Sequence, residues 1–244
     1  MSSEQYLIGQ HVYRVDVIPS TNSEMLLHPE KYPHGSVLVA ERQTAGRGRA
    51  QRSWNSDTGG LYLSLLLKES GSPVKYFPFV LLSALAVAKT LKRYTNLKIE
   101  IKWPNDVYVN DRKICGILAE SNVLANSLHL VIGIGININN SVKDIDQLRH
   151  PAVALKDICD DPPGTGEFLN PLLTELDTLY ADFCNGAFGD HIPELDQLLY
   201  SRGKPLQLHV NGSVRELTPL GFHHDAALIC LEKGKIATIY LGEF

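Results

Sequence analysis

The sequence predicts a mixed α/β fold followed by a small all-β tail. Three observations carry that prediction. Short runs rich in β-branched residues recur between residues 12 and 138. Two longer runs have helical length and spacing. From Pro205 onward the pattern changes to short strands around turns.

In chain order, "VYRVDVI" (12–18) and "SVLVAER" (36–42) read as strands. Between them, "PSTNSEM" (19–25) puts Ser20, Thr21 and Asn22 where a helix would be capped. "LYLSLLL" (61–67) is apolar enough to be a strand covered on both faces. "PFVLLSALAVAKTLKRY" (78–94) reads as a buried helix, its terminal cations suited to the helix dipole. "LKIEIKW" (97–103) alternates as a strand, and Pro104 ends it because proline cannot extend a ladder. "VYVNDRKICGILAES" (107–121) predicts a hairpin turning at Asn110–Asp111, and "LHLVIGIGINI" (128–138) another central strand. "FLNPLLTELDTLYADF" (168–183) carries apolar residues at helical spacing and reads as an amphipathic helix. "SRGKP" (201–205) is the expected junction. The tail beyond it turns at "VNGSV" (210–214), "HHDAAL" (223–228) and "EKGKI" (232–236), the pattern of a small β-barrel.

Composition bounds the function. The 244 residues are 44% hydrophobic and 20% charged, as expected of a folded soluble chain. A net charge of −4 argues against a general polyanion binder. The N-terminus lacks the basic region and apolar run of a signal peptide, and no stretch is expected to cross a membrane. Cys115, Cys159, Cys184 and Cys230 are far apart and form no CxxC pair, which disfavours zinc and disulfides and fits a reducing cytosol.

Three stretches carry candidate chemistry. "TAGRGRAQRSW" (44–54) sets Arg47, Arg49 and Arg52 on a loop with Gly46 and Gly48. Guanidinium groups match phosphate or carboxylate oxygens, and the glycines permit close approach. By itself the loop fits an anion site, a solvated surface loop and an Arg-Gly nucleic-acid segment equally. In "KWPNDVYVNDRKICGIL" (102–118), Asn105 and Asp106 sit at a strand end, where they suit either a turn or a metal, ribose or phosphate. Lys113 opens the next strand, and Cys115 reads as packed rather than nucleophilic. "GIGININN" (133–140) lacks the third glycine of a dinucleotide fingerprint, and no GxxxxGK[ST] occurs. Its glycines instead leave room for a ligand against a strand. Both tryptophans, Trp54 and Trp103, fall in polar motifs, a pointer to ligand contact.

In this order, "STN" (20–22), "RQTAGRGR..RSW" (42–54), "LYLS" (61–64), "KWPNDV" (102–107), "RKICGIL" (112–118) and "GIGIN" (133–137) resemble the biotin protein ligases, with a compatible "GEF" at 242–244. The resemblance implies a class II aminoacyl-tRNA synthetase-like catalytic domain over residues 1–200 and an SH3-like β-barrel over 201–244. It implies two steps. Biotin's carboxylate attacks the α-phosphate of ATP, with Mg²⁺ expected, giving biotinyl-5′-AMP. A lysine of a biotin carboxyl carrier domain then takes the biotinyl group.

By the same resemblance, Lys113, Arg49 and Arg47 are the catalytic residues. Ser20, Thr21, Gln43, Gly46, Arg47, Leu61, Tyr62, Ser64, Lys113, Gly116, Leu118, Gly133 and Ile136 bind biotin. Arg49, Arg52, Trp54, Asn105, Asp106, Lys113 and Asn137 bind ATP. No metal ligand is assigned. The arginine loop looks like a lid over a reactive acyl phosphate. The chain departs from the family at Ala50–Gln51, where a glycine often stands, which implies a slightly stiffer lid. The first strand starts near Val12, so no N-terminal DNA-binding domain, no DNA partner and no repressor role are expected. Lipoate or octanoate ligation, a non-catalytic biotin sensor and Arg-Gly-loop nucleic-acid binding are the alternatives.

Overall fold

The computed structural model describes residues 7–124, 127–142, 151–210 and 212–240; the "GEF" at 242–244 lies outside them. A seven-stranded sheet is built from β1 (Val12–Ile18), β2 (Val37–Gln43), β3 (Leu61–Glu69), β4 (Ile99–Lys102), β5 (Asp106–Val109), β6 (Arg112–Leu124) and β7 (Ser127–Ile136). Its order is β1-β2-β3-β7-β6-β5-β4. Only β1 and β2 run parallel; the other neighbours are antiparallel. The β5–β6 hairpin turns at Asn110 and Asp111, both at positive φ (47° and 60°), as a tight two-residue turn requires.

Helix α1 (Thr21–Leu27) covers one face of the sheet, closing a small cluster of Met25, Tyr32, Leu38, Leu66 and Val131. The opposite face carries α2 (Phe77–Leu91), α3 (Thr165–Cys184) and α4 (Phe188–Leu198) over the main core. Strand periodicity divides β3 between the two: Leu61, Leu63, Leu65 and Leu67 enter the main core, and Tyr62, Ser64 and Leu66 face the other way. Together with a preceding 3₁₀ turn, α2 makes a 19-residue run (Pro73–Leu91) long and apolar enough to cross a membrane, contrary to expectation. That run is 72% buried inside the protein, which makes it a core helix. Helix α4 was not legible in the sequence, because Gly189 and Pro193 interrupt a stripe with only Phe188, Leu195 and Leu198 buried.

The tail forms a four-stranded antiparallel sheet, β8 (Leu206–Val210), β9 (Ser213–Phe222), β10 (Leu228–Glu232) and β11 (Lys235–Ile239). It turns at the three expected places and fits a barrel-like unit. Leu208, Leu217, Phe222, Leu228 and Cys230 join the same apolar core as the main helices. Asp196 of α4 accepts the Phe222 N–H at 2.8 Å, and the Trp103 indole donates to the Ala226 carbonyl at 3.0 Å. The tail therefore braces the end of β4.

Candidate active site

Strand direction gathers the polar motifs on the α1 face. β3, β7, β6 and β5 run side by side, with Tyr62 opposite Gly135, Gly135 opposite Gly116 and Gly116 opposite Asp106. A parallel row sets Ser64 opposite Gly133 and Gly133 opposite Leu118. These rows floor a cavity of about 660 Å³, roofed by the 44–54 loop and walled by the start of α1.

At one end lies a chain of buried polar groups. Ser20 caps α1 through the Ser23 N–H, so capping and cavity lining coexist in one residue. Gln43 Oε1 accepts from the Thr21 N–H (2.9 Å) and hydroxyl (3.1 Å). The Ser64 hydroxyl lies 2.7 Å from Thr21 Oγ1 and 2.5 Å from Asn22 Oδ1. Asn22 Nδ2 donates to the Leu118 carbonyl and to Glu120 Oε2. That oxygen also accepts Arg47 Nη2 at 2.6 Å. From the other side, Gln43 Nε2 donates to the Ser56 hydroxyl, which donates to the Trp54 carbonyl. The network thus begins and ends in the loop. Gly133 has to lack a side chain, because a Cβ there would stand 2.2 Å from Asn22 Oδ1.

The other end is cationic. Lys113 Nζ is 2.7 Å from Asp106 Oδ2 and 5.3 Å from the centre of the Trp54 ring. A bulge in the β5–β6 ladder at Val107/Tyr108 turns Lys113 onto the cavity face. Arg49 Nη1 donates to Asn105 Oδ1 (3.1 Å), whose Nδ2 donates to the Ile117 carbonyl (2.7 Å). The Trp54 indole lies over Gly135, where a Cβ would be 2.6 Å from Nε1. In this structure, then, the loop's own indole occupies the space the glycine leaves. Trp54 Nε1 and Asp106 Oδ1 are buried without a hydrogen bond. Asp106 is the only carboxylate among the described lining residues and is already paired with Lys113. A lone carboxylate does not make a metal centre; a divalent ion here would rely on a nucleotide's own phosphates.

The structure brings most of the expected site residues to this cavity. Ser20, Thr21, Gln43, Arg47, Tyr62, Lys113, Gly116, Leu118 and Gly133 line it, as do Arg49, Arg52, Trp54, Asn105, Asp106 and Asn137. Four expected residues do not. Leu61 and Ile136 pair across β3 and β7 and point into the main core, one residue out of phase with the cavity face. Ser64 stands behind the floor, orienting Thr21 and Asn22. Gly46 underlies the loop, its Cα packed where a Cβ would meet the Trp54 carbonyl at 2.4 Å. Trp103 also lines the cavity, but it is 1% exposed, packs edge-on to Phe77 and has its indole N–H bonded to Ala226. Cys115 is fully buried, and burial pushes its thiol well up, as a packed role implies. Ala50 and Gln51 both adopt left-handed backbone (φ 50° and 58°), which favours the glycine this chain lacks.

Two site residues were missed. Glu120 follows Gly116 and Leu118 at strand period two, a spacing that would have found it. Lys102, inside a quoted motif, lines the cavity although it is 6% exposed.

The described residues thus present a mixed sheet flooring a cleft with a polar end and a cationic end. Residues 14–137 match the Biotin/lipoate A/B protein ligase family, and the chain belongs to it. The Bacillus subtilis bifunctional ligase/repressor BirA is 33% identical over 186 residues, covering 75% of this chain and 57% of its own. The Escherichia coli bifunctional ligase/repressor BirA is 37% identical over 134 residues, covering 54% of this chain and 42% of its own. The chain thus spans about half the length of the curated relatives it matches. The structure of the Aquifex aeolicus biotin protein ligase in complex with biotin and ATP superposes with a TM-score of 0.82. It is 27% identical and covers 96% of this chain and 97% of that one.

Proposed function

We propose that the chain is a biotin protein ligase: it activates biotin with ATP to biotinyl-5′-AMP and transfers biotin to a lysine of a biotin carboxyl carrier domain. The observation that carries this reading is the two-ended cavity. A buried urea needs every donor and acceptor paired, and the Thr21–Gln43–Asn22 end offers both kinds. A carboxylate approaching a triphosphate needs fixed positive charge, and Lys113, Arg49 and Arg52 line the other end. The Aquifex aeolicus protein, with biotin and ATP in its structure, supports the pairing of ligands.

In this reading Ser20, Thr21 and Gln43 hold the ureido ring. Gly116, Leu118, Gly133 and Tyr62 form the walls, and Asn105, Asn137 and Trp54 serve the nucleotide. Lys113 stabilises charge building on the α-phosphate and the attacking carboxylate. Arg47 and Arg49 belong to a lid that closes on the adenylate. Mg²⁺ enters with ATP. Residues 1–200 carry the chemistry, and residues 201–244 brace the nucleotide side. The test is ATP–pyrophosphate exchange with biotin, lipoate or octanoate as the only acid. Exchange that depends on biotin alone supports the reading. Exchange with lipoate or octanoate in its place moves the chain to the other branch of its family. Biotin binding without exchange makes it a sensor.

A further inference from the structure

The turn between β9 and β10 gathers three metal-ligating side chains that lie outside the cavity. His223, His224 and Asp225 each offer one donor atom, and the three atoms lie within 4.8 Å of one another. Among the described residues they are the one group of three that does so. His223 Nδ1 is 2.7 Å from Asp225 Oδ1, and the two imidazole rings sit 3.9 Å apart, centre to centre, tilted by 47°.

The backbone beneath them is fixed. The His223 N–H donates to the Ala227 carbonyl and the Ala226 N–H to the His223 carbonyl, both at 2.9 Å. The Ala227 N–H donates to Asp225 Oδ1 at 3.1 Å, and Ala226 takes left-handed backbone at φ 68°. The Ala226 carbonyl accepts the Trp103 indole N–H, which fastens the turn to the end of β4. Donor atoms on a backbone already ordered cost less entropy to bring round a ligand. A turn that needed only closing would be complete with Asp225, which already meets Ala227 and His223. His224 takes no part in that bonding. It is exposed, with its ring set against another imidazole.

The donor set is two imidazole nitrogens and one carboxylate oxygen. Imidazole suits Zn²⁺, Ni²⁺ and Cu²⁺, whereas Mg²⁺ and Ca²⁺ prefer oxygen ligands. Tetrahedral bonds of about 2.0–2.2 Å set ligand atoms about 3.4 Å apart. His223 and Asp225 need to part only slightly to reach that spacing, and the exposed His224 ring can turn inward.

We propose that His223, His224 and Asp225 form a surface site for a divalent transition-metal ion of the Zn²⁺ class, with water in the fourth position. The proposal is independent of the ligase reading, because the site lies in the tail and outside the catalytic cavity. An ion between His223 and Asp225 replaces their hydrogen bond by coordination to both. Through Ala226 it also tightens the tail on Trp103.

The test titrates the full chain, stripped with EDTA and desalted, with Zn²⁺ in a calorimeter. The wild-type protein is expected to take up one equivalent that excess Mg²⁺ does not displace. Its melting temperature should rise by about 5–10 °C at a hundredfold excess of Zn²⁺ over the dissociation constant. His224→Ala and Asp225→Asn should bind Zn²⁺ at least about tenfold more weakly, the smallest loss typical even of an outer-shell partner. Without metal both should melt as wild type does, since His224 is exposed and asparagine keeps an acceptor for Ala227. Cys184→Ser, which removes the exposed thiol, should leave the titration unchanged. Equal Zn²⁺ uptake in His224→Ala and Asp225→Asn would overturn the site. So would uptake that is lost with Cys184, a wild-type chain that takes up no Zn²⁺, or saturation without a rise in melting temperature.

Discussion

The 44–54 loop and the hairpin of residues 102–118 both carry polar motifs, yet they are held in opposite ways. The hairpin is part of the sheet. Val107, Val109, Ile114, Cys115 and Ile117 are buried in the main core, and Trp103 is fastened to Ala226 of the tail. The loop is tied by its backbone at its base, where the Thr44 and Ala45 N–H groups donate to the Ile18 and Pro19 carbonyls. Beyond Ala45, side chains hold it to the sheet: Arg47 on Glu120, Arg49 on Asn105 and the Trp54 ring over Gly135. Backbone bonds from Gly48 to Arg52, Arg52 to Arg49 and Trp54 to Gly46 close the loop on itself. One half of the cavity is therefore a fixed platform, and the other, beyond its base, is held to the sheet by side chains rather than by a buried apolar core. Chemistry that needs exact positioning belongs to the first, and retention of a reactive product to the second.

Substitutions can test that division. The largest effect is expected at Lys113. Lys113→Ala removes a preorganised charge from the platform and should lower biotin-dependent exchange by about 10²–10³. Its melting temperature should stay near wild type, because the lysine is half-buried and contributes no apolar packing. Near-normal exchange would break the comparison at its centre.

Next comes the loop. Arg49→Gly removes the bond to Asn105, a charge-assisted contact of about 1.5–3 kcal/mol where partly buried. The adenylate should still form but escape about ten- to a hundredfold more often. A streptavidin blot of a reaction containing serum albumin would then show bystander labelling rising with time. Albumin labelling no greater than wild type would leave the loop without a retaining role.

A platform residue outside the chemistry should behave differently again. Trp103→Phe keeps most of the buried ring but loses the bond to Ala226. About 1–2 kcal/mol of global stability should be lost, measurable by urea titration, with adenylate retention unchanged. Increased leakage in this variant would mean the two halves are coupled. The smallest effect is expected for Glu120→Gln, which weakens the exposed pairing with Arg47 while keeping the volume. Adenylate loss should rise a few-fold at most, and stability should move by less than about 0.5 kcal/mol. A melting temperature several degrees lower would show that the carboxylate serves the fold instead.

The fold was largely legible because its strands follow simple rules. Continuous apolar runs became the strands covered on both faces, and Asn110–Asp111 supplied a turn whose geometry needs positive φ. The differences between expectation and structure have physical causes. Leu61 and Ile136 were put on the cavity because their motifs lie there, whereas strand period sends alternate residues to the opposite face. α4 escaped because proline and glycine interrupt its pattern. The candidate site was legible where short motifs supply whole constellations. It was not legible where a residue acts across the sheet: Glu120 meets the loop only once β6 is laid beside α1, and the Lys102 ammonium stands over the ring of Tyr200, nearly a hundred residues away.

The two tryptophans give this architecture an optical consequence. The chain has only these two, and they fall on opposite sides of the division. Trp103 is sealed in the core with its N–H bonded, so its emission should be blue-shifted and indifferent to ligand. Trp54 lies on the loop beneath the Lys113 ammonium, with its indole nitrogen buried and unbonded. Any motion that lifts it from Gly135 exchanges a dry, charged setting for water, and its emission wavelength and quenching by acrylamide should follow. Trp103 then serves as a constant internal standard, and the difference spectrum reports the position of the loop in unlabelled protein.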